Sequence, residues 1–350
     1  DWRWATSEAG EIITAGRADP VDKGDSPQFL GPNRNATIDG IELKDWSTHP
    51  PREVWRIKVG DGWSAFAVSG NQAITQEQRD EFECVVSYDL NTGHQQWIHK
   101  DATRYATAIA GIGPRATPTI RGNRVYTAGS TGQLNCLDLE TGKVIWQRNF
   151  VTENNATVMS WGNAGSPLLL GNRVIINAGG KPDRALVAYD ADSGDYVWGA
   201  GTNKAGYSSP SLHNIAGMNQ ILIFNSGAVN GHHPETGKVL WSMPWGPSEC
   251  VAQPLPLSPD RVFVSSGYGV GCTLYEISQQ DGEFTADIVW ETRRMKAKFT
   301  NVVHHEGYIY GLDDGVMVCL DPKTGQRKWK RGRYGHGQIL HVGNKLIVQT

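Results

Sequence analysis

The pattern Asp-x-x-Thr-Gly-x-x-x-Trp recurs along the chain and constrains the fold more than any other feature. Clear copies start at Asp89, Asp138, Asp190 and Asp321, and His233 starts a further copy in which His replaces Asp. Successive tryptophans of the pattern are about 46 residues apart on average, a spacing typical of the blades of a β-propeller. The predicted blade-docking tryptophans, which include Trp290 in a weaker copy around Gly282 and Trp55 without the turn, are Trp55, Trp97, Trp146, Trp198, Trp241, Trp290 and Trp329.

Each part of the pattern has a structural explanation. The Thr-Gly pair lies between two extended runs, where a tight hairpin requires a positive φ that glycine adopts at little cost. The Asp carboxylate can accept hydrogen bonds from backbone N–H groups two or three residues further on, and so fix the turn. The tryptophan lies on the outermost strand and offers a large flat surface to bury against the next unit. The repeated tryptophans are therefore predicted to dock one blade against the next.

Further strand signals precede each turn. In the second unit, residues 116–120 and 125–128 are extended runs separated by a turn, and residues 133–138 alternate as a half-buried strand does. With the tryptophan strand, each unit has four strands. The predicted fold is all-β, a β-propeller of four-stranded blades. The predicted blades are 63–98, 115–149, 162–200, 206–243, 252–292 and 299–331, with a seventh that starts at Gly337 and stops after two strands at Thr350.

The sequence predicts two regions, an irregular N-terminal arm at residues 1–45 and the propeller at residues 46–350. A strand at residues 54–59 is predicted to serve as the outer strand of the last blade and close the ring, because a lone exposed strand edge is a liability. Seven tryptophans and an incomplete last blade fit an eight-bladed ring, or a seven-bladed ring. We favour eight and expect the natural chain to continue beyond Thr350.

Composition and charge exclude several classes of protein. The formal net charge is −3, and no long basic run is present, so the chain lacks the surface that binds nucleic acid. No apolar stretch reaches the ~20 residues of a membrane-spanning helix. Residues 1–4 lack the apolar core of a signal peptide, so any such segment is expected to have been removed. The 5 cysteines are too few for a disulfide framework, although Cys250 and Cys272 could form one pair.

The repeat resembles that of the PQQ-like repeat propellers, a superfamily that includes quinoprotein alcohol dehydrogenases and the propeller lipoprotein of the outer-membrane β-barrel assembly machinery. The segment Phe29-Leu-Gly-Pro-Asn-Arg34 is also similar to one that heads many secreted bacterial members. The resemblance covers residues 28–350 and implies the fold and a periplasmic or secreted location. It does not imply one function, because the motif holds blades together and contacts no substrate.

The innermost strand of each blade is predicted to line a central funnel, the usual ligand site of a propeller. A polar residue occupies the same aligned position in five blades, which predicts a solvated channel. These residues are Thr117, Ser166, Ser209, Gln253 and Asn301. Larger groups at the rim would suit an anionic or planar ligand, although a water-lined channel without a specific ligand gives the same pattern. The predicted ligand-binding residues are Arg115, Trp161, Tyr207, Gln253, Asn301 and His336.

No catalytic or metal site is predicted. The pairs His232-His233 and His304-His305 cannot chelate together, because adjacent residues of a strand point to opposite faces, and no third ligand lies at metal spacing. The glycine-rich run at residues 267–271 joins two strands rather than a strand and a helix, so it does not predict a phosphate-binding loop.

Two functions are considered. The first is a non-enzymatic, extracytoplasmic binding scaffold, a monomer without a cofactor, that recruits a protein or polysaccharide partner on a propeller face. The second, which the resemblance implies, is a PQQ- and Ca²⁺-dependent alcohol or sugar dehydrogenase. That chemistry needs hard oxygen ligands for Ca²⁺, a carboxylate base and a flat aromatic group under the quinone. Trp161 could supply the aromatic group, and Asp183 or Glu249 the carboxylate. The scaffold is favoured because the sequence has no recognisable catalytic constellation.

Overall fold

Short strands joined by tight turns build the molecule in the order in which they occur along the chain. The computed structural model describes residues 24–247 and 249–350. Complete sheets have four antiparallel strands that lie side by side in chain order. The strands of the first half are β1 (Thr37–Ile38); β2 (Ala67–Ser69), β3 (Gln72–Arg79), β4 (Phe82–Asp89) and β5 (Gln95–Asp101) in the first sheet; β6 (Ala106–Thr107) and β7 (Gly111–Ile112) in a small hairpin; β8 (Thr119–Arg121), β9 (Arg124–Ala128), β10 (Gln133–Asp138) and β11 (Val144–Asn149) in the second sheet; and β12 (Leu168–Leu170), β13 (Arg173–Gly180), β14 (Arg184–Asp190) and β15 (Tyr196–Ala200) in the third.

The second half of the chain repeats the same sheet. A one-turn helix, α1 (Phe150–Glu153), follows β11 and is capped by the side chain of Asn149. The remaining strands are β16 (Ser211–Ile215), β17 (Met218–Asn225), β18 (Ala228–His232) and β19 (Val239–Pro244) in the fourth sheet; β20 (Leu255–Ser258), β21 (Arg261–Ser266), β22 (Gly271–Gln280) and β23 (Glu283–Thr292) in the fifth; β24 (Val303–His305), β25 (Tyr308–Asp313), β26 (Val316–Leu320) and β27 (Arg327–Arg333) in the sixth; and β28 (Gln338–Val342) and β29 (Lys345–Gln349).

The first strand of each sheet lies nearest the centre of the molecule. Successive first strands contact one another, β2 with β8, β16 with β20, β20 with β24 and β24 with β28. The sheets are therefore the blades of a wheel, and β28 and β29 begin a seventh blade. The predicted all-β propeller of four-stranded blades, with an incomplete last blade, is confirmed.

The hydrophobic core is divided among the spaces between blades. Between the second and third blades, Tyr126, Trp146 and Ile176 belong to one buried cluster. Between the fourth and fifth blades, Phe224 and Tyr275 belong to another. Each blade is thus stabilised by its neighbours rather than by one common centre, as in other repeat proteins.

Trp97 shows how the repeated tryptophan docks. Its indole covers Gly142 in the turn of the second blade, where a Cβ would lie 2.4 Å from the ring. Its Nε1–H donates to the carbonyl of Leu139, the residue after the turn Asp, at 2.9 Å. Gly142 has a φ of +68°, so both the backbone and the ring require glycine. The same two contacts, to the turn one blade further on, are made by Trp55, Trp146 and Trp290.

Two blades depart from this docking pattern. Trp198 covers the next turn glycine, but its Nε1 has no hydrogen-bond partner among the described residues. Trp241 is buried between the fourth and fifth blades and donates to Gln220 Oε1 of its own blade, at 2.7 Å. Asp281 and Gly282 both have positive φ, as a type I′ turn requires, and they form the tip of the β22–β23 hairpin. The weaker repeat copy therefore has a plain hairpin turn, while its tryptophan, Trp290, packs on the turn of the sixth blade.

Residues 54–59 form no strand in the described structure, contrary to the prediction. A strand needs a hydrogen-bonded partner, and none of the described strands pairs with this segment. Trp55 nevertheless packs on the turn of the first blade, as an outer-strand tryptophan of a preceding blade would. Closure of the ring by this segment stays a prediction, and so does the number of blades.

A segment at residues 26–38, named here the N-terminal clasp, spans the central channel. Ser26 is hydrogen-bonded to β2, and the carbonyl of Pro27 accepts a hydrogen bond from β8. Ala36 is buried among residues of the sixth and seventh blades, and its carbonyl accepts from the N–H of His341 at 2.8 Å. β1, at the end of the clasp, pairs in parallel with β28. The clasp therefore joins blades from both ends of the described chain.

The cysteines behave as small hydrophobic residues. Cys84, Cys136, Cys272 and Cys319 are buried free thiols. Burial raises the pKa of Cys272 to about 12, which keeps this thiol protonated and unreactive. Because Cys272 is a free thiol, the disulfide between Cys250 and Cys272 that the sequence allowed is not formed.

Candidate functional site

The loops around the innermost strands place five rings together at one end of the central channel. The ring centroid of Trp161 lies 5.1 Å from that of Phe299 and 5.6 Å from that of Tyr207. Tyr268 lies 6.4 Å from Trp161 and 6.3 Å from Phe299. His336 contacts Phe299 at 5.6 Å. We name these five residues the mouth cluster, and because they come from the third to the seventh blades, they join five blades at one surface.

Two cations flank the mouth cluster. Lys298 Nζ lies 4.6 Å from the ring centroid of Tyr268 and 5.3 Å from that of Phe299. The guanidinium of Arg115 lies 5.0 Å from the ring of Tyr105. Positive charges over aromatic faces are held by the ring quadrupole. The mouth therefore combines apolar surface with positive charge.

A groove with a volume of about 280 Å³ leads from the mouth cluster between the third and fourth blades. Its lining includes Met159, Tyr207 and two opposite charges, Lys204 and Glu249. Burial, with a smaller contribution from the Glu249 carboxylate, raises the pKa of Tyr207 to about 12. The Tyr207 hydroxyl therefore stays protonated at neutral pH and is available as a hydrogen-bond donor in the groove.

The polar residues predicted to line a solvated channel instead form a buried hydrogen-bond belt between blades. The N–H of Thr117 donates to Ser166 Oγ at 2.9 Å. The N–H of Ser166 donates to Ser209 Oγ at 2.9 Å. The N–H of Gln253 donates to Asn301 Oδ1 at 2.8 Å. All five side chains are buried, so each belt contact satisfies a backbone group of the adjacent strand, and the prediction of a solvated channel at these positions is wrong.

The six predicted ligand-binding residues separate into two groups. Trp161, Tyr207 and His336 meet in the mouth cluster, and Arg115 lies beside it with its guanidinium held by carbonyls of its own loop. Gln253 and Asn301 are bonded to each other in the buried belt. The bond joins the backbone N–H of Gln253 to the side chain of Asn301, and the Gln253 amide pairs with the backbone of Ser209. Both residues thus hold blades together, whereas the residues at the mouth keep a ligand role as a proposal.

Sequence reasoning missed Lys298, Tyr268 and Phe299. Phe299 could have been identified from the sequence. It aligns with Arg115 and Tyr207, because each of the three lies two residues before the belt residue of its own blade. Tyr268 lies in the glycine-rich run at residues 267–271, where no sequence pattern indicates a ring at the channel. Its place at the mouth depends on the turn between β21 and β22, and a single sequence does not reveal the direction of such a turn.

Further exposed apolar residues lie at the small hairpin between the first and second blades. The N–H of Trp63 donates to the carbonyl of Pro114 at 2.8 Å, which places its indole beside the β6–β7 hairpin. Ile109 lies at the tip of that hairpin, and both side chains are largely exposed. Exposed apolar surface of this kind marks interaction sites on soluble proteins.

Glu83, a buried acid close enough to Arg115 to feel its charge, gives a prediction about pH. Its Oε1 accepts from the N–H of Ser130 at 2.8 Å, but Oε2 has no partner among the described residues. Burial raises the pKa of Glu83 to about 7, against an unfolded value of 4.5. The folded chain therefore binds the Glu83 proton more tightly than the unfolded chain does. The stabilisation that comes from this bound proton is complete below about pH 4.5 and is lost as the pH rises through about 7.

We expect Glu83→Gln to remove this pH dependence. From pH 5 to pH 8, the variant should gain about 2 to 3 kcal/mol in free energy of unfolding relative to the wild type, at ~1.4 kcal/mol per pKa unit. Urea titrations at both pH values measure the difference, and Glu81→Gln, on an exposed residue, is the control. If the free energies of unfolding of the wild type and of Glu83→Gln differ by the same amount at both pH values, the prediction is contradicted.

The residues that the sequence offers for PQQ with Ca²⁺ come together only in part. The ring of Trp161 is partly exposed and is in contact with Phe299 and Tyr207. Glu249 lines the groove with Tyr207, whereas Asp183 lies in the turn between β13 and β14. In residues 24–247 and 249–350 no three His, Cys, Asp or Glu side chains are grouped to hold a metal ion. Ca²⁺ requires six to eight oxygen ligands.

The four-stranded blades and the repeated tryptophan turns define a propeller of PQQ-like repeats. The chain belongs to the family described as outer membrane protein assembly factor BamB, whose model matches residues 36–163 and 83–331. BamB of Shewanella oneidensis is 23% identical over an alignment of 283 positions that covers 73% of this chain and 67% of that protein. The crystal structure of BamB from Moraxella catarrhalis, at 22% identity, has a TM-score of 0.58 and covers 83% of this chain and 79% of that one.

Quinoprotein dehydrogenases are also similar, over smaller parts of their length. The quinoprotein alcohol dehydrogenase PedH of Pseudomonas putida is 31% identical over an alignment of 144 positions that covers 38% of this chain and 23% of that protein. The dehydrogenase subunit of the quinone alcohol dehydrogenase of Acetobacter aceti is 24% identical over an alignment of 255 positions that covers 64% of this chain and 33% of that protein. The chain therefore spans only a quarter to a third of these enzymes.

Proposed function

We propose that the chain is a non-enzymatic, extracytoplasmic binding scaffold whose mouth cluster docks a protein partner. The observation that carries the proposal is the convergence of five rings from five blades beside Lys298 and Arg115. Aromatic rings and arginine are enriched at the energetic centres of protein interfaces. The family description, an assembly factor, supports a protein partner over a polysaccharide.

The extracytoplasmic location is part of the same proposal. Its support is the family itself, since the matched relatives are named for the assembly of outer membrane proteins. No helix within residues 24–247 and 249–350 is long and apolar enough to cross a membrane. Fractionation of the native host, with a periplasmic and a cytoplasmic marker enzyme, measures the location directly.

Site-specific photo-crosslinking in the native host tests the docking surface. A benzophenone amino acid is placed at Tyr268, which is 46% exposed in the mouth cluster, and separately at Tyr308, which is 37% exposed on the sixth blade outside the mouth cluster. We expect one discrete extracytoplasmic protein to be crosslinked from Tyr268 and not from Tyr308. The absence of a discrete product from Tyr268, or identical products from both positions, would count against the mouth as the docking surface.

Alanine at Tyr268 should weaken this partner at least tenfold, the loss expected on removing an aromatic anchor of an interface. Because the side chain is nearly half exposed, the melting temperature should change little. Titration of the purified partner, identified by the crosslink, gives the dissociation constant, and Tyr308→Ala is the matched control. Equal affinities of the two variants would refute the role of Tyr268.

A PQQ-dependent dehydrogenase is the second candidate, favoured by the 31% identity to PedH over 144 residues. The purified chain is incubated with Ca²⁺ and PQQ, and quinone absorbance and alcohol-dependent dye reduction are followed. The scaffold proposal predicts neither a tight complex nor turnover. Turnover with an alcohol would overturn that proposal in favour of the enzyme.

A further inference from the structure

Arg34, the last residue of the Gly-Pro-Asn-Arg segment, is a buried cation in the central channel. Its side chain extends from the N-terminal clasp, and the residue is only 5% exposed. Nη1 donates to the carbonyl of Pro167 at 2.9 Å and to Gln28 Oε1 at 3.1 Å. Nη2 donates to the carbonyl of Ser166 at 3.1 Å. All of these acceptors are neutral, so they satisfy donors without cancelling the charge.

The charge of Arg34 lacks a counterion in the described structure. Burial alone lowers the pKa of Arg34 to about 9, and no carboxylate of the described residues contributes to this pKa. Its Nε has no hydrogen-bond partner among those residues. Buried charges in proteins are normally paired, because an uncompensated buried charge costs several kcal/mol. An anion is therefore the expected missing partner.

A second buried donor lies on the adjacent blade. Ser211 Oγ is buried and has no partner in the described parts of the chain. Ser211 belongs to β16 of the fourth blade. Just before β16, the hydroxyl of Ser209 accepts from the N–H of Ser166 in the third blade, and the carbonyl of Ser166 accepts from Arg34. His213 follows on the same face of β16, two residues further on, and its pKa is lowered to about 4 by burial and by the charge of Arg34. The unpaired hydroxyl of Ser211 therefore lies on the same face of β16 as His213.

We propose that Arg34 and Ser211 bind a small inorganic monovalent anion, of the size of chloride, where the N-terminal clasp meets the third and fourth blades. The anion accepts a hydrogen bond from Arg34 Nε and one from Ser211 Oγ. It neutralises the guanidinium and links the clasp to β16. Its role is structural, since it fastens the clasp across the channel.

Crystals soaked in sodium bromide give the direct test, because bromide replaces chloride and scatters anomalously. We expect an anomalous peak within hydrogen-bond distance of Arg34 Nε. The absence of a peak at this position in crystals of the wild-type protein would overturn the proposal. A peak that is unaffected by Ser211→Ala and is not accompanied by the stability effect described next would identify an adventitious ion only, and would also overturn it.

Thermal unfolding in solution tests whether the anion is part of the fold. At constant ionic strength, exchanging sodium gluconate for sodium chloride should raise the melting temperature of the wild type by about 3 °C, because chloride enters the site and gluconate is too large. Ser211→Ala should reduce this rise, and Arg34→Gln should abolish it. If Arg34→Gln does not fold, the test is the difference between the wild type and Ser211→Ala in the rise of melting temperature with chloride. Equal melting temperatures of the wild type in the two salts would refute the site.

Discussion

Alanine in place of Trp146 should lower the free energy of unfolding by about 3 to 5 kcal/mol, the usual loss for removing a buried tryptophan. The indole is buried between the second and third blades, beside Tyr126 at a centroid distance of 6.1 Å. Its Nε1–H donates to the carbonyl of Ala191 at 2.9 Å. The variant therefore loses apolar contact on both blades and one hydrogen bond to that carbonyl, which still accepts from Arg124 and Tyr126.

Guanidinium titration measures this loss, and two variants calibrate it. Trp46→Ala removes a tryptophan that is 48% exposed, so it should cost less than about 1 kcal/mol. Trp146→Phe keeps most of the apolar volume but not the hydrogen bond, so its cost should lie between the other two. A loss at Trp146 no larger than that at Trp46 would mean that the indole does not dock blades.

Alanine in place of Gly142 is expected to cost about 4 kcal/mol. Its Cβ would lie 2.4 Å from the ring of Trp97, which is itself buried and has no room to move. The φ of +68° at this position adds a left-handed conformation that costs a non-glycine residue about 1–2 kcal/mol.

Gly122→Ala separates the two terms of this cost. Gly122 also has a positive φ, of +56°, but no described atom lies within 4 Å of its added Cβ. It should therefore lose only about 1–2 kcal/mol, the conformational term. Chemical denaturation of both variants in parallel provides the comparison, and equal losses would show that contact with Trp97 does not restrict Gly142.

The fold could be predicted because its determinants are local and repeated. The turn carboxylate of Asp138 accepts from the N–H of Thr141, three residues further on, at 2.9 Å. Such short-range contacts leave a pattern that a single sequence displays. The docking of Trp97 on Gly142 connects adjacent units, and its repetition made it visible as well.

The candidate site was only partly predictable, for two physical reasons. The polarity of Ser166 suggested contact with water, since serine is mostly exposed, whereas its hydroxyl accepts the backbone N–H of Thr117 from the preceding blade. Arg34 contacts Pro167, which lies 133 positions further along the chain. No local pattern reports a contact over such a distance, and the location of Tyr268 is equally a product of the assembled wheel.

The N-terminal clasp has a consequence for how the protein is made. The carbonyl of Ala36 accepts a hydrogen bond from the N–H of His341. This partner is synthesised 305 residues later (341 − 36). At ~5–20 residues per second, translation of that interval takes about 15 to 60 s. Throughout this time the nascent chain exposes apolar groups such as Leu30, whose packing partners lie in the last blades. Early blades can pair their own strands as they emerge, but the central channel is completed only after synthesis has reached the seventh blade.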